Sequence, residues 1–134
     1  MSINLPFIVG NSPGLNIRGI IASQVIKKNQ VIERCPIIMV SKKEEAALKQ
    51  TVLWKYYYEW NQKYHCICLG YGSLINHSYT PNARYAFNTK TKELIFKALK
   101  QIKPGEEITV NYNYIPDSTD PVNSELVDFN AHFD

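Results

Sequence analysis

The sequence has no run near the roughly 18 apolar residues of a membrane-spanning helix. Its opening, MSINLPFIVGNSPG, has neither a cationic start nor an apolar core long enough for a secretory signal. Charge of one sign is also scarce. Fifteen Lys and Arg against twelve Asp and Glu leave a formal net charge of +3, and the basic residues come mostly in pairs such as Lys27-Lys28 and Lys42-Lys43. No basic stripe forms, which argues against direct binding to nucleic acid. The only cysteines are Cys35, Cys66 and Cys68. So small and odd a number makes no disulfide framework, and free thiols in a reducing, intracellular compartment (cytoplasm or nucleus) are expected, with export as an effector lacking a recognisable signal left open. Metal ligands are sparse too. No second histidine or carboxylate stands at ligand spacing from His77, and Cys66-x-Cys68 offers only two ligands, so no metal site is expected and strand core is the better reading of the pair.

What is present suits a soluble globular domain. The 134 residues, 45% hydrophobic and 20% charged, are expected to form one domain able to bury a core without covalent staples. Leu15 to Ser23 and Val31 to Val40 read as strands, with Pro36 marking an edge or a bulge in the second. Lys27-Lys28-Asn29-Gln30 reads as a turn in which Asn29 takes positive φ. Ser41 followed by Glu44 has the form of a capping box, and EEAALK favours a helix from about Lys42 to Trp54. Trp54-Lys55-Tyr56-Tyr57-Tyr58-Glu59-Trp60 is dense in aromatic residues and reads as a platform against strands. Tyr64 to Leu69 is a strand. Ala83 to Phe87 and Glu93 to Leu99 make a hairpin around residues 88–92, and Lys103-Pro104-Gly105-Glu106 a tight turn. Ile108 to Tyr114 alternates, so Thr109, Asn111 and Asn113 should face away from Val110, Tyr112 and Tyr114. After Pro116 the tail is polar, with Leu126, Val127, Phe129 and Phe133 able to dock a short helix. No internal repeat or linker is visible.

Three stretches exceed what a plain β domain needs. Asn76-His77-Ser78 lies in a turn-rich loop followed by Pro81-Asn82. The Asn76 amide both donates and accepts, as reading an adenine edge requires, while His77 has a base, a ligand or a structural hydrogen-bonder open to it. Gly105-Glu106-Glu107-Ile108-Thr109-Val110-Asn111-Tyr112-Asn113-Tyr114 puts two tyrosines on one strand face, by itself as compatible with packing as with catalysis. Arg18-Gly19 places a glycine in a strand-like run, where a backbone or a ligand comes close.

In this order and spacing the three stretches resemble the SET domain family of protein-lysine methyltransferases. Ile17-Arg18-Gly19-Ile20-Ile21-Ala22 is similar to its first motif. Leu74-Ile75-Asn76-His77-Ser78-x-x-Pro81-Asn82 is similar to its Asn-His-Ser motif, and Gly105 to Tyr112 to its closing strand. The wording is closest to compact, stand-alone SET proteins of the bacterial and viral kind, and the likeness runs from about Asn16 to Tyr114. The resemblance implies a mostly β fold (a β-clip of several short sheets) with a knot-like C-terminal crossing and a short helical insert. It implies methyl transfer from S-adenosylmethionine, leaving S-adenosylhomocysteine, to a lysine ε-amine of a protein, with a histone tail as the family-level substrate. Tyr112 is then the catalytic residue. Asn76, the backbone of His77 and main-chain groups around Arg18 and Gly19 hold the cofactor, and Tyr114 and Tyr85 line the lysine channel. Compact relatives dimerise to complete the site, so a homodimer is an open expectation. The alternative is a SET-like module that binds a lysine-bearing peptide and has lost turnover.

The sequence departs from the family pattern in places. Ile17 stands where the first motif has glycine, which bears on the cofactor pocket. Cys35 falls at a channel position that is often aromatic. No cysteine follows Tyr114, so the zinc-binding module that follows the domain in relatives is not expected, and the tail from 115 to 134 would close the cofactor side. Phe129 is the candidate aromatic lid, with Phe133 second.

Overall fold

The computed structural model describes residues 4–13 and 17–122. Nine strands are seen among them: β1 (Phe7–Asn11), β2 (Arg18–Ala22), β3 (Val31–Ser41), β4 (Tyr57–Glu59), β5 (Tyr64–Cys68), β6 (Asn76–His77), β7 (Ala83–Asn88), β8 (Glu93–Ala98) and β9 (Glu107–Val110). They form two sheets, one ordered β1-β2-β9-β6 and the other β4-β5-β3-β8-β7. Short strands with turn residues between them produce this mostly β architecture. In β8, Leu94, Phe96 and Ala98 point inward while the alternate residues are half-buried, the two-residue period of a pleated strand. Ile20, Ile26, Leu94, Phe96, Ile102, Ile108 and Val110 are wholly buried and join the two sheets in one core. Burying a side chain of this size stabilises by about 1.5 to 3 kcal/mol.

Turn chemistry follows the sequence closely. Asn29 has φ 68° and Gly105 φ 90°, both where a turn requires the left-handed region. The β7–β8 hairpin pairs Ala83 with Ala98 through Asn88 with Glu93.

Four expectations need correction. Pro36 is not on an edge. β3 is the middle strand of five, and Pro36 ends its pairing with β8, whereas Ile37 begins the pairing with β5. The missing N–H therefore falls where one ladder hands over to the next, and the irregularity in register lies earlier, between Val31 and Glu33. The helix expected over 42–54 is three short pieces: a 3-10 turn at Lys42–Glu44, α1 (Glu45–Leu48) and a second 3-10 turn at Val52–Lys55. Ser41 caps the first piece by accepting from the Lys43 N–H. Thr51 is extended, and its hydroxyl donates to the Leu48 carbonyl, the competition between side chain and backbone that ends a helix. The closing strand stops at Val110. Asn111, expected on the strand face opposite Val110 and Tyr112, is buried and folds the chain back: its Nδ2 donates to the carbonyls of Pro116 and Ser118, and its Oδ1 accepts from the Asn113 N–H. Cys35, expected in the channel, is core instead, with no exposed surface. The tail helix proposed around Leu126 to Phe133 lies outside the described residues.

Candidate active site

Residues 76–77 and 109–110 are far apart in sequence, yet they pair as parallel strands, Asn76 with Thr109 and His77 with Val110. Asn82, from the same loop, supports the join. Its Nδ2 donates to the Glu107 carbonyl at 2.8 Å and its Oδ1 accepts from the Thr109 N–H at 2.9 Å. So short a parallel pair needs such side-chain support. The Ser78 N–H adds a bond to the Val110 carbonyl.

The crossing fixes the key tyrosine at two points. The Tyr112 N–H donates to His77 Nδ1 at 3.0 Å, and its hydroxyl donates to the Ile75 carbonyl at 2.8 Å. His77 is therefore an Nε2–H tautomer with Nδ1 as acceptor. Its buried Nε2 finds no partner among the described residues. Burial lowers the His77 pKa below its ordinary value of 6.5, because desolvation disfavours the imidazolium. A lowered folded pKa means that the unfolded chain takes up the proton first. Stability is then complete above pH 6.5 and declines as pH falls through the folded pKa. Thermal melts from pH 7.5 to 5.5 should show this decline, and it should shrink in His77→Gln; equal slopes for both proteins would remove His77 as its source.

On the other side of Asn76 lies a carboxylate hub. Asn76 Nδ2 donates to the Arg18 carbonyl at 3.0 Å and to Glu107 Oε2 at 2.8 Å. The Ser12 hydroxyl donates to Glu107 Oε1. Gly19 lies against this cluster, and a Cβ there would come within 2.6 Å of Glu107 Oε2 and 2.9 Å of Asn76 Nδ2. The glycine is required by close approach, as its place in a strand implied. Gly19→Ala should cost about 1 to 3 kcal/mol through overpacking, readable as a lower urea midpoint. An unchanged midpoint would show that the cluster yields freely. Ile17, at the departed glycine position, turns into the interior with 1% of its surface exposed.

Beyond Tyr112 opens a cleft of about 510 Å³, walled by Tyr57, Tyr58, Trp60, Tyr85, Phe87, Tyr112 and Tyr114, with Glu59, Asn61, Asn113 and Val122 at its margin. The rings meet mostly edge to face. Tyr58 lies 4.9 Å from Tyr85 and 6.1 Å from Tyr112, while Tyr114 stacks on Phe87 at 5.3 Å. Tyr114 enters the wall through a backbone φ of 73°, not from a strand face. A second hollow, of about 10 Å³, is bordered by Lys55, Tyr56, Tyr57, Tyr58, Ser73 and Tyr112. Tyr57, Tyr58 and Tyr112 thus border both spaces. The Arg18 guanidinium reaches the Tyr56 hydroxyl beside the smaller one, at 3.4 Å.

The phenols share a chemical feature. The Tyr58 hydroxyl donates to the Gly72 carbonyl at 2.9 Å, and that of Tyr85, more loosely, to the Tyr112 carbonyl at 3.4 Å. Burial holds the pKa values of Tyr58 and Tyr85 above the ordinary tyrosine range, with the neighbouring Tyr112 adding to the effect. Both stay neutral at physiological pH. With its proton on a carbonyl, each oxygen offers a further group only lone pairs. The three thiols are core. The Cys68 thiol is raised mainly by its hydrogen bond with Cys35, and burial pushes Cys66 up to about 12.

A family model described as SET domain matches residues 17–113. The chain belongs to the SET domain family. This SET domain is 33% identical over 96 residues to the "Histone-lysine N-methyltransferase, H3 lysine-37 specific" of Schizosaccharomyces pombe, a match covering 71% of this chain and 65% of that protein. A Plasmodium falciparum crystal structure, described there as a candidate histone methyltransferase, aligns with a TM-score of 0.62 at 33% identity, over 79% of this chain and 96% of that one.

The SET fold gathers the sequence-derived residues into two connected groups. Gly19 and Asn76 meet at Glu107 with the Arg18 carbonyl held by Asn76, Tyr85 and Tyr114 meet at the cleft, and His77 with Tyr112 links the two. Phe129 and Phe133 lie outside the described residues. Sequence reasoning gave no role to Glu107, Ser12 or Tyr58. Glu107 was legible as the second acid of a motif, and Tyr58 as one ring among seven residues, but neither contact could be read from position alone.

Proposed function

We propose that this SET domain transfers a methyl group from S-adenosylmethionine to a lysine ε-amine of a protein. The observation that carries this reading is the aromatic cleft in which the hydroxyls of Tyr58, Tyr85 and Tyr112 give their protons to backbone carbonyls. Oxygens that offer only lone pairs suit a ligand that donates, as an amine does. Aromatic faces suit the alkylammonium from which that amine derives. The same walls exclude water, which lowers the pKa of an entering lysine and favours its neutral, nucleophilic form. Tyr112 is placed to accept an N–H from that amine and to steer it, while its hold on Ile75 and His77 keeps the ring in position. Alignment of this kind is the main demand of an in-line transfer.

One feature fits the cofactor: the buried Nε2–H of His77 lacks an acceptor among the described residues. Asn76, the backbone of His77 and the main chain of Arg18 and Gly19 would hold it. When bound, S-adenosylmethionine supplies the electrophilic methyl carbon and a sulfonium charge. The matched relatives carry histone-directed names, which supports a histone tail as substrate.

The test is a calorimetric titration with S-adenosylmethionine followed by a methylation assay on histones and mixed basic proteins. Binding and transfer are both expected. Binding without transfer to any protein would favour a lysine-peptide module over an enzyme.

A further inference from the structure

The turn between β4 and β5 separates two depressions of opposite character. It is tightly built: the N–H groups of Trp60 and Asn61 both donate to the Tyr64 carbonyl, and Asn61 Oδ1 accepts from the N–H groups of Lys63 and Tyr64 at 2.8 and 2.9 Å. The Lys42 N–H donates to the Lys63 carbonyl and ties the turn to the end of β3. On one side Glu59, Trp60 and Asn61 belong to the aromatic cleft. On the other, Gln62, Lys63 and Tyr64 join Ser41, Lys42 and Lys43 around a second depression of about 600 Å³.

Three of these six residues are lysines and none is a carboxylate. Lys42 Nζ is paired with Glu59 at 3.2 Å, across the rim shared with the cleft. Lys43 and Lys63 are exposed and have no ion pair among the described residues. Two ammonium groups on one concave surface, without a balancing acid in its wall, favour an anion from outside. The position adds the second argument. Asn61 and Lys63 are two residues apart on a turn held by side-chain bonds, so the basic surface begins where the cleft ends.

We propose that the depression of Lys42, Lys43 and Lys63 is a subsite for an anionic side chain of the substrate, a carboxylate or a phosphoserine, close in sequence to the lysine that enters the cleft. This rests on the methyl-transfer reading of the cleft. The two depressions share the short β4–β5 turn, so an extended peptide with its lysine in the cleft carries the anion on the residues flanking that lysine. A flexible lysine ammonium recognises a carboxylate or a phosphate as a point charge. The subsite therefore selects charge and distance without a fixed orientation.

The test uses synthetic lysine peptides with a neutral flank, with two glutamates, or with a phosphoserine, on either side of the target. Binding to the full chain is read by fluorescence anisotropy, and transfer by kcat and KM. At low salt one anionic flank should bind about five-fold tighter than the neutral peptide, the size expected of two exposed ion pairs. The gain should shrink at high salt and vanish in Lys43→Gln/Lys63→Gln, with KM moving and kcat constant. The glutamate and phosphoserine arms show which anion is preferred. Equal binding of all peptides by the wild type, or a preference that survives the double substitution, overturns the proposal. Competition by duplex DNA with no effect of the peptide flank overturns it in favour of a nucleic-acid phosphate surface. If no peptide is methylated, the cleft reading fails, while anisotropy still reads the lysine subsite.

Discussion

Tyr112→Phe is expected to lower kcat for methyl transfer about 100-fold or more, or to change how many methyl groups are added, in a protein that still folds and still binds S-adenosylmethionine. One oriented hydrogen-bonding group at a reacting centre accounts for roughly 10²–10³ in rate. The hydroxyl of Tyr112 is oriented by its bond to Ile75, while its backbone is held independently by His77. Removing the oxygen leaves that backbone bond and the aromatic wall in place. The stability cost should stay near that of one lost hydrogen bond, about 1 kcal/mol. Single-turnover kinetics, mass spectrometry of the product and a urea titration separate the effects. Unchanged kinetics together with an unchanged product distribution would remove Tyr112 from its role.

The second large effect is expected at a residue to which sequence reasoning gave no task. Glu107→Ala should destabilise the fold by about 2 to 4 kcal/mol, because it strands the Asn76 amide and the Ser12 hydroxyl, two partly or wholly buried donors. Asn76 also holds the Arg18 carbonyl, so the loss should spread to the backbone beside Gly19 and weaken S-adenosylmethionine binding as well. Glu107→Gln keeps the shape and one good acceptor, and should recover part of both losses. Urea midpoints and calorimetric affinities for the two variants provide the check. A midpoint for the alanine variant within about 0.5 kcal/mol of wild type would mean that water replaces the carboxylate, and the hub would lose its importance.

These two residues mark how far the sequence could be read. Tyr112 was recognisable because a tyrosine at the end of a Gly-Glu-Glu strand, downstream of an Asn-His pair, has a family pattern behind it. Its neighbour Glu107 stood in the same motif, yet its contacts reach Ser12, 95 positions away, and Asn76, 31 positions away. No local period encodes distances of that kind. The helical insert shows the converse failure. Good helix formers from Lys42 onward did favour helix, but Thr51 turned its hydroxyl on the backbone and interrupted it. Likewise the alternation from Ile108 to Tyr114 suggested one long strand. Asn111, itself buried, instead found carbonyl partners at residues 116 and 118, and the chain turned to bring Tyr114 into the cleft by another route.

By itself the sequence determined the mostly β class, the turns at Asn29 and Gly105, the close approach at Gly19 and the inventory of groups able to handle an amine. These are local properties: a side chain's size, a backbone's permitted φ, an alternation of period two. The tertiary structure alone decided that β6 lies parallel to β9, that the phenol protons go to backbone carbonyls, and that a lysine-lined depression adjoins the aromatic cleft. Those outcomes depend on which distant segments become neighbours, and the burial of the shared core, rather than any one segment's preference, sets that.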